Sequence, residues 1–409
     1  MPTVLHGKHI VLGVTGSIAS FKAADLASKL VQHGALVDTV LTREACQFIT
    51  PLTFQALTHR PVLTDLFDPR AETAMDHVAL ALRADLILVC PATAHTIARL
   101  SVGLTDDVLT TTALASRAPL VVVPAMDAHM YAHPVLQEHL ERLQKRGVHV
   151  VGPVEGRLAS GLVGKGRMAE VADILGHVRW VLGRATGDLR GYTIVATAGG
   201  TQEPIDPVRV VTNRSSGKMG YAVAEAARDR GARAILITAP TSLPDPAGVE
   251  VRRVTTALQM RDAVLEACRE ADALIMAAAV ADYRPTRLAP QKIKKGPPLW
   301  TVELTRNPDI IAEVDGKVIK VGFAAETENL LANAREKLQA KGMHLIAAND
   351  VTAADSGFGA ETNRVVLLDK EGGIEQLPLL PKYEVAQRIL DRVKALLVQR
   401  TEQVQPSAR

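Results

Sequence analysis

Positions 209–218 crowd Arg209, Asn213, Arg214, Ser215, Ser216 and Lys218 into one short loop. Guanidinium, ammonium, amide and hydroxyl groups this close together offer more donors than a structural turn uses, and the chemistry they suit is holding an anion. The loop lies between an apolar run at 194–198 that ends in Gly199-Gly200 and a helically spaced stretch from Met219 that stops at Gly231. Strand, glycine turn and helix in that order bring backbone amides to phosphate, with Gly199 and Gly200 both expected at φ > 0. Met219 follows Lys218 where a Walker A loop needs Ser or Thr, and Gly199-Gly200-Thr201 does not supply G-x-G-x-x-G. An ordinary glycine-rich turn stays open on this stretch alone.

A second concentration lies near the N-terminus. Thr15-Gly16-Ser17 follows the first apolar run and opens a helical pattern, where amides and a hydroxyl meet phosphate. The next run ends in Leu41-Thr42-Arg43 with no acidic residue to grip a ribose diol, which weighs against NAD and leaves a mononucleotide such as FMN. CPATAHTIARLSVGLTDDVLTT and PAMDAHMYAHP each begin at the end of a strand-like run, where open α/β sheets bind ligands.

Strand and helix patterns alternate along the whole chain, as in parallel sheets covered on both faces. Strands are expected at 8–13 and 35–41, with a helix at 17–33 between them; GYTIVATAGG later echoes GKHIVLGVTG. The fold class is therefore α/β, with two doubly wound Rossmann-like domains. At 409 residues the chain suits two cores. The pattern lapses in WVLGRATGDLRG, which places the join near 187 and the domains at 1–187 and 188–409. TEQVQPSAR is polar and expected to be disordered.

Net charge is only +3, from 47 Lys and Arg against 44 Asp and Glu, which argues against nucleic acid and anionic membrane partners. The 12 histidines have no zinc-like spacing, and three cysteines without a CxxC fit a reducing cytoplasm. No apolar run is long enough to span a membrane, and the N-terminus reads as a strand and not a signal peptide.

TAGGTQEPIDPVR and TNRSSGKMG closely resemble the ligase half of a bifunctional enzyme family of coenzyme A biosynthesis, phosphopantothenoylcysteine decarboxylase / phosphopantothenate-cysteine ligase. DALIMAAAVADYRP, KIKK, NPDI and VGFAAET follow in family order. The resemblance implies CTP contacts at Met276, Ala277, Ala278, Asp282, Lys292, Pro308, Asp309, Ile310, Phe323, Lys337 and Lys341. It also implies a mobile flap over 287–298, with Lys292 assisting acyl-cytidylate formation, Arg209 helping to hold that intermediate and Asn213 serving the attack by cysteine. Magnesium is expected with the triphosphate, its ligands not legible. Asn349-Asp350 serves either the ligase dimer or its site.

The N-terminal motifs resemble the flavin-dependent cysteine decarboxylases, which implies a flavodoxin-like domain. FMN contacts carry over to Gly16, Ser17, Thr42, Pro91, Ala92, Thr93 and Thr96, with Asp106 and Asp107 beside them. His77 matches the family's active-site histidine, which works beside the flavin during oxidation of the cysteinyl thiol. The family further implies 4'-phosphopantothenate, cysteine and CTP as substrates, and a homo-oligomer in which trimeric flavin domains join through dimeric ligase domains into a dodecamer.

Three positions depart from the family pattern. Asp127 and His95 stand where it has Asn, and Ser160 stands where it has Cys. An ionised Asp127 would repel the substrate carboxylate unless its pKa were raised or His129 compensated, and Ser160 is a far weaker acid than Cys. Either the decarboxylase runs with altered helpers or the half-site survives as scaffold; the intact glycine-rich flap GRLASGLVGKGRM favours activity. Cys90 is a substitute proton donor or, more simply, a small buried hydrophobe.

Overall fold

The computed structural model describes residues 4–67, 76–296, 299–326, 330–350 and 359–404. The chain divides into two compact units, Pro2–Ala185 and Thr186–Arg409.

In the first unit the strands are β1 (His9–Val14), β2 (Leu36–Leu41), β3 (Val62–Leu63), β4 (Leu86–Ala92), β5 (Leu120–Pro124) and β6 (His149–Val150), joined in a sheet of order β3-β2-β1-β4-β5-β6. Every pairing in it is parallel. The helices are α1 (Ser20–Gln32), α2 (Pro51–Thr58), α3 (Asp76–Arg83), α4 (Ala94–Val102), α5 (Val108–Ala115), α6 (Ala128–Ala132), α7 (Pro134–Lys145) and α8 (Val171–Thr186), and a hairpin of β7 (Val154–Arg157) and β8 (Val163–Arg167) precedes α8. The continuous apolar runs have a simple cause. Ile10, Leu12 and Val14 enter the core on one face of the sheet and Val11 the core on the other, so a central strand must be apolar at every position. The order reverses between β1 and β4, and the loops after those strands form the crevice. Helix α1 starts at Ser20, later than expected, because Thr15–Ala19 first makes a turn with Ser17 N–H on Thr15 O at 2.7 Å.

The second unit holds β9 (Thr193–Ala198), β10 (Gln202–Pro204), β11 (Val210–Thr212), β12 (Arg233–Thr238), β13 (Glu250–Arg253), β14 (Ala273–Met276), β15 (Tyr283–Pro285), β16 (Leu304–Arg306), β17 (Ile319–Glu326), β18 (Leu345–Asp350), β19 (Thr362–Asn363), β20 (Val365–Asp369), β21 (Ile374–Gln376) and β22 (Leu380–Pro381). Its helices are α9 (Lys218–Asp229), α10 (Ala257–Ala267), α11 (Ile310–Glu313), α12 (Leu330–Ala340) and α13 (Lys382–Val404). The main sheet runs β13-β12-β9-β14-β17-β18-β20-β21. It is parallel as far as β18, and then β20 and β21 extend it antiparallel. That extension was not expected, though Lys370-Glu371-Gly372-Gly373 marks its turn: Gly372 has φ 92° and the Gly373 amide bonds Asp369 Oδ1 at 2.7 Å. Helices α9 and α13 pack one face, α10, α11 and α12 the other. Helix α13 continues through Thr401–Val404, where disorder was expected; residues 405–409 lie outside the described residues.

Asp188 ties this unit together. Arg230 at the end of α9 and Lys394 on α13 both donate to it at 2.7 Å. Burial would raise its pKa, but these two cations outweigh that and bring it to about 2 from an ordinary 3.8. A lowered carboxyl pKa contributes stability above the ordinary value and loses it as pH falls toward the folded one. Asp188→Asn is therefore expected to cost about 1 kcal/mol or less at pH 7, because the carboxylate is 41% exposed and screened. In urea melts the wild-type advantage should shrink between pH 4 and 2; an advantage that grows there would refute the assignment.

Candidate functional site

In the second unit, β9 ends in a turn where Gly199 has φ 79°. Gly200 does not share that conformation, contrary to expectation; it is needed because a Cβ there would lie 2.6 Å from Asn213 O. The small-residue run after β14 lies against this turn. Ala279 N–H bonds Gly199 O at 2.8 Å, Thr201 N–H bonds Ala279 O at 3.3 Å, and Ala281 N–H bonds Thr201 Oγ1 at 2.9 Å. Backbones approach this closely only where side chains are short, which is what Ala277-Ala278-Ala279 provides. Asn213 reaches across and donates to Val280 O at 3.1 Å. Asn307, 7% exposed, donates to Ala281 O at 2.8 Å and accepts from Arg284 at 2.9 Å.

These elements enclose a cleft of about 580 Å³ at the ends of the strands. Met276, Ala277, Ala278, Asp282, Pro308, Asp309, Ile310, Phe323, Lys337 and Lys341 all line it, as do Asn213, Arg214, Ser215, Ser216 and Lys218. Lys341 pairs with Asp309 at 2.9 Å. Arg209 and Lys292 do not line it. Arg209 binds Asp206 through Nε at 3.0 Å and Nη2 at 2.6 Å, donates to Ile293 O at 2.6 Å, and stacks its guanidinium 4.6 Å from the Trp300 ring. Ile293 N–H returns to Asp206 at 3.1 Å and Ala289 N–H to Ile205 O at 3.0 Å. The stretch read as a mobile flap is thus fastened to the β10–β11 hairpin through Ile293 and Ala289 in this structure; positions 297–298 of it lie outside the described residues. Burial would raise the Asp206 pKa, yet the amides and the guanidinium around it hold it far below the carboxylate range.

The sequence reading missed Asn363 and Lys382 and gave Asn307 no role; all three line the cleft, as does Asn349. Lys382 follows a Pro and opens the last helix, and no local pattern distinguishes it from any helix-starting lysine. Thr327 of VGFAAET lies outside the described residues.

In the first unit the expected residues gather where β1, β2, β4 and β5 end. Buried Thr15 donates to Pro91 O at 2.6 Å and accepts from Thr93 N–H at 3.0 Å, locking the first and fourth strand ends together. A Cβ on Gly16 would lie 2.4 Å from Glu44 Cβ, so only glycine lets the two loops meet. Thr42 is buried and accepts from Ala45 N–H at 3.3 Å, and Thr93 caps α4 by accepting from the amide of nearly buried Thr96 at 3.3 Å. Asp106 and Asp107 both pair with Arg99, and Asp107 caps α5 through Thr110 N–H at 2.7 Å. His77 stands half-buried in the first turn of α3; Ala74 and Met75 of its motif lie outside the described residues, and His95 is exposed.

The two main departures meet. Ser160, at the tip of the β7–β8 hairpin, donates to Asp127 Oδ2 at 2.7 Å, while Asp127 Oδ1 accepts from His129 N–H at 3.0 Å and caps α6. The Ser160 bond first and the His129 amide second lower the Asp127 pKa. Of the two expected escapes from repulsion of the substrate carboxylate, a raised Asp127 pKa and compensation by His129, the first is therefore not found here. The hairpin seats firmly, with Met126 N–H on Gly166 O at 3.0 Å and no room at Gly166 for a Cβ, which would lie 2.3 Å from Met126 O. Cys90 is fully buried, its Sγ 3.9 Å from Met168 Sδ, and burial pushes its thiol pKa far up. It is a packed hydrophobe and not a proton donor. Among the described residues no group of three or more His, Cys, Asp or Glu side chains converges as a metal site, and no helix is long and apolar enough to cross a membrane.

Two doubly wound α/β units, each gathering polar groups where its strands end, define a two-site α/β enzyme. Residues 2–183 match the family described as Flavoprotein, and residues 189–397 the family described as DNA/pantothenate metabolism flavoprotein C-terminal domain. The chain is 46% identical over 404 residues to the coenzyme A biosynthesis bifunctional protein CoaBC of Bacillus subtilis, covering 98% of this chain and 100% of that one. It is 43% identical over 397 residues to the protein of that name from Escherichia coli, covering 95% and 97%. A solved C-terminal domain of such a protein is 41% identical, covers 52% of this chain and 98% of that one, and superposes with a TM-score of 0.45. The chain belongs to this family of bifunctional coenzyme A biosynthesis enzymes, with a decarboxylase and a ligase activity.

Proposed function

We propose that residues 188–409 ligate cysteine to 4'-phosphopantothenate with CTP and that residues 1–187 use FMN to decarboxylate the product to 4'-phosphopantetheine. The observation that carries the ligase reading is the single cleft lined by every expected CTP contact except Lys292. In the first step the substrate carboxylate attacks the α-phosphorus of CTP and pyrophosphate leaves. Lys337 and Lys341 offset the charge developing on the triphosphate, with which a magnesium ion is expected. Cysteine's amine then attacks the acyl-cytidylate and expels CMP. Asn213, fixed to Val280 O, lies at the cleft wall where that carbonyl would be held.

For the first unit, the donor set at the strand ends suits FMN: hydroxyls of Ser17, Thr42, Thr93 and Thr96 and the amides of a glycine turn meet phosphate and ring edges without a competing charge, since Asp107 is engaged by Arg99. FMN, when bound, supplies the two-electron chemistry. Ser160 directs its proton at Asp127, which keeps the hairpin tip closed over the turn after β5. The reading includes self-association into trimers and a dodecamer. Three free cysteines fit a reducing cytoplasm.

Purified protein incubated with 4'-phosphopantothenate, CTP, magnesium and cysteine is expected to be yellow and to release pyrophosphate, CMP and carbon dioxide, followed by mass. CMP without carbon dioxide would remove the decarboxylase assignment, and no pyrophosphate would remove the ligase.

A further inference from the structure

Asp206 lies in the turn between β10 and β11, and its side chain is fully buried. An ionised carboxylate is costly in such a place unless donors surround it. Oδ1 accepts from Val208 N–H and Arg209 N–H, both at 2.9 Å, and those two local bonds satisfy the turn by themselves. Oδ2 serves something else. It accepts from Arg209 Nε at 3.0 Å and Nη2 at 2.6 Å, and from Ile293 N–H at 3.1 Å, 87 positions along the chain. Arg209 Nη2 donates in turn to Ile293 O at 2.6 Å. Carboxylate and guanidinium together therefore hold both the N–H and the C=O of one residue, and two bonds fix an orientation where one would let it pivot.

Little else anchors residues 290–296. Ile293 alone of them makes a hydrogen bond among the described residues, and it alone is half-buried, while Lys292, Lys294 and Lys295 are exposed. The Trp300 ring, 4.6 Å from the Arg209 guanidinium, shields one side of the grip. Asp206 itself stands outside the residues that line the cleft. Its surplus bonds thus act on the segment that carries Lys292 and not on a ligand.

We propose that Asp206 is a positioning residue for the ligase reaction: with Arg209 it grips the Ile293 peptide and so fixes the backbone from which Lys292, the preceding residue, reaches its target. A lysine has a long flexible stem and a point charge, so its placement depends on how firmly its own backbone is held. Losing the grip should slow acyl-cytidylate formation and spare the binding of CTP by the cleft. The proposal rests on the ligase reading above.

Asp206→Asn is the informative change, because its one oxygen can serve the turn or Ile293 but its amide nitrogen can accept from neither. Limited trypsin digestion of the full-length protein without substrates, followed by mass, reads the opening of the segment directly. Cleavage after Lys292, Lys294 and Lys295 is expected to be at least about tenfold faster than in wild type, with cleavage elsewhere within about twofold. In pyrophosphate release, kcat should fall at least about 30-fold while KM for CTP stays within about twofold. A misfolded unit would lose CTP as well, so that split cannot come from failure to fold. Should Asp206→Asn not fold, Arg209→Lys keeps the charge beside Asp206, loses the fork to Ile293 O, and is expected to speed the same cleavages at least about threefold. Unchanged cleavage in the variant that folds, or a loss of CTP binding as large as the loss of rate, would overturn the proposal and leave Asp206 a support of the hairpin. Wild type that releases no pyrophosphate would remove the ligase reading while the digestion still tests the grip.

Discussion

Gly200→Ala is expected to lower pyrophosphate release by at least about 100-fold while leaving decarboxylation of supplied phosphopantothenoylcysteine within about twofold. The added methyl would lie 2.6 Å from Asn213 O, a backbone atom that cannot swing aside, and 3.4 Å from Thr212 Oγ1. The loop must therefore move, and it carries Asn213, Ser215, Ser216 and Lys218 into the cleft. Displacing reacting groups by about 1 Å is enough for a loss of this size. The selectivity follows from the two compact units, since the clash lies wholly within 186–409. Single-turnover assays of each half-reaction on the same preparation check it, and equal loss in both halves would mean that the variant simply fails to fold.

Asp127→Ala should lower decarboxylation by about 100-fold without affecting ligation. The carboxylate serves two partners at once, the His129 amide at the start of α6 and the Ser160 hydroxyl at the hairpin tip, and alanine replaces neither. Losing the Ser160 bond frees the hairpin tip that seals the turn after β5, and loss of a positioned polar group at a reacting centre has this typical scale. Ser160→Cys, by contrast, should change the rate by no more than about tenfold, because the natural protein already works without a thiol there. If wild type stalls at an oxidised, decarboxylated product and Ser160→Cys releases phosphopantetheine, the serine is a defect and the pairing with Asp127 has no catalytic value.

The two residues that looked like separate faults in the sequence are in contact, and one distance changes their meaning. In the chain Asp127 and Ser160 are 33 positions apart, and nothing local says that a hairpin tip returns to a helix cap. The same holds at the other site. The strand–turn–helix at β9 and α9 was legible because apolar period, glycine and cluster of donors are all local signals, as were the small residues after β14. The doubly wound architecture was legible too, since a strand buried on both faces must be apolar throughout, and a chain of this length with one lapse in pattern suits two cores.

Tertiary structure alone decided the rest. Gly200 is needed for what approaches it and not for its own dihedral angles, which no sequence pattern records. Arg209 and the Ile293 amide are both held by buried Asp206, a pairing that depends on where two loops cross. Lys382 joins Asn363 at the cleft only because the chain reverses through β20 and β21 and returns in β22 to pair with β19, which carries Asn363. Hydrophobic periodicity is written residue by residue and survives in the sequence, whereas a site assembled from loop ends depends on distances that exist only after the cores have closed.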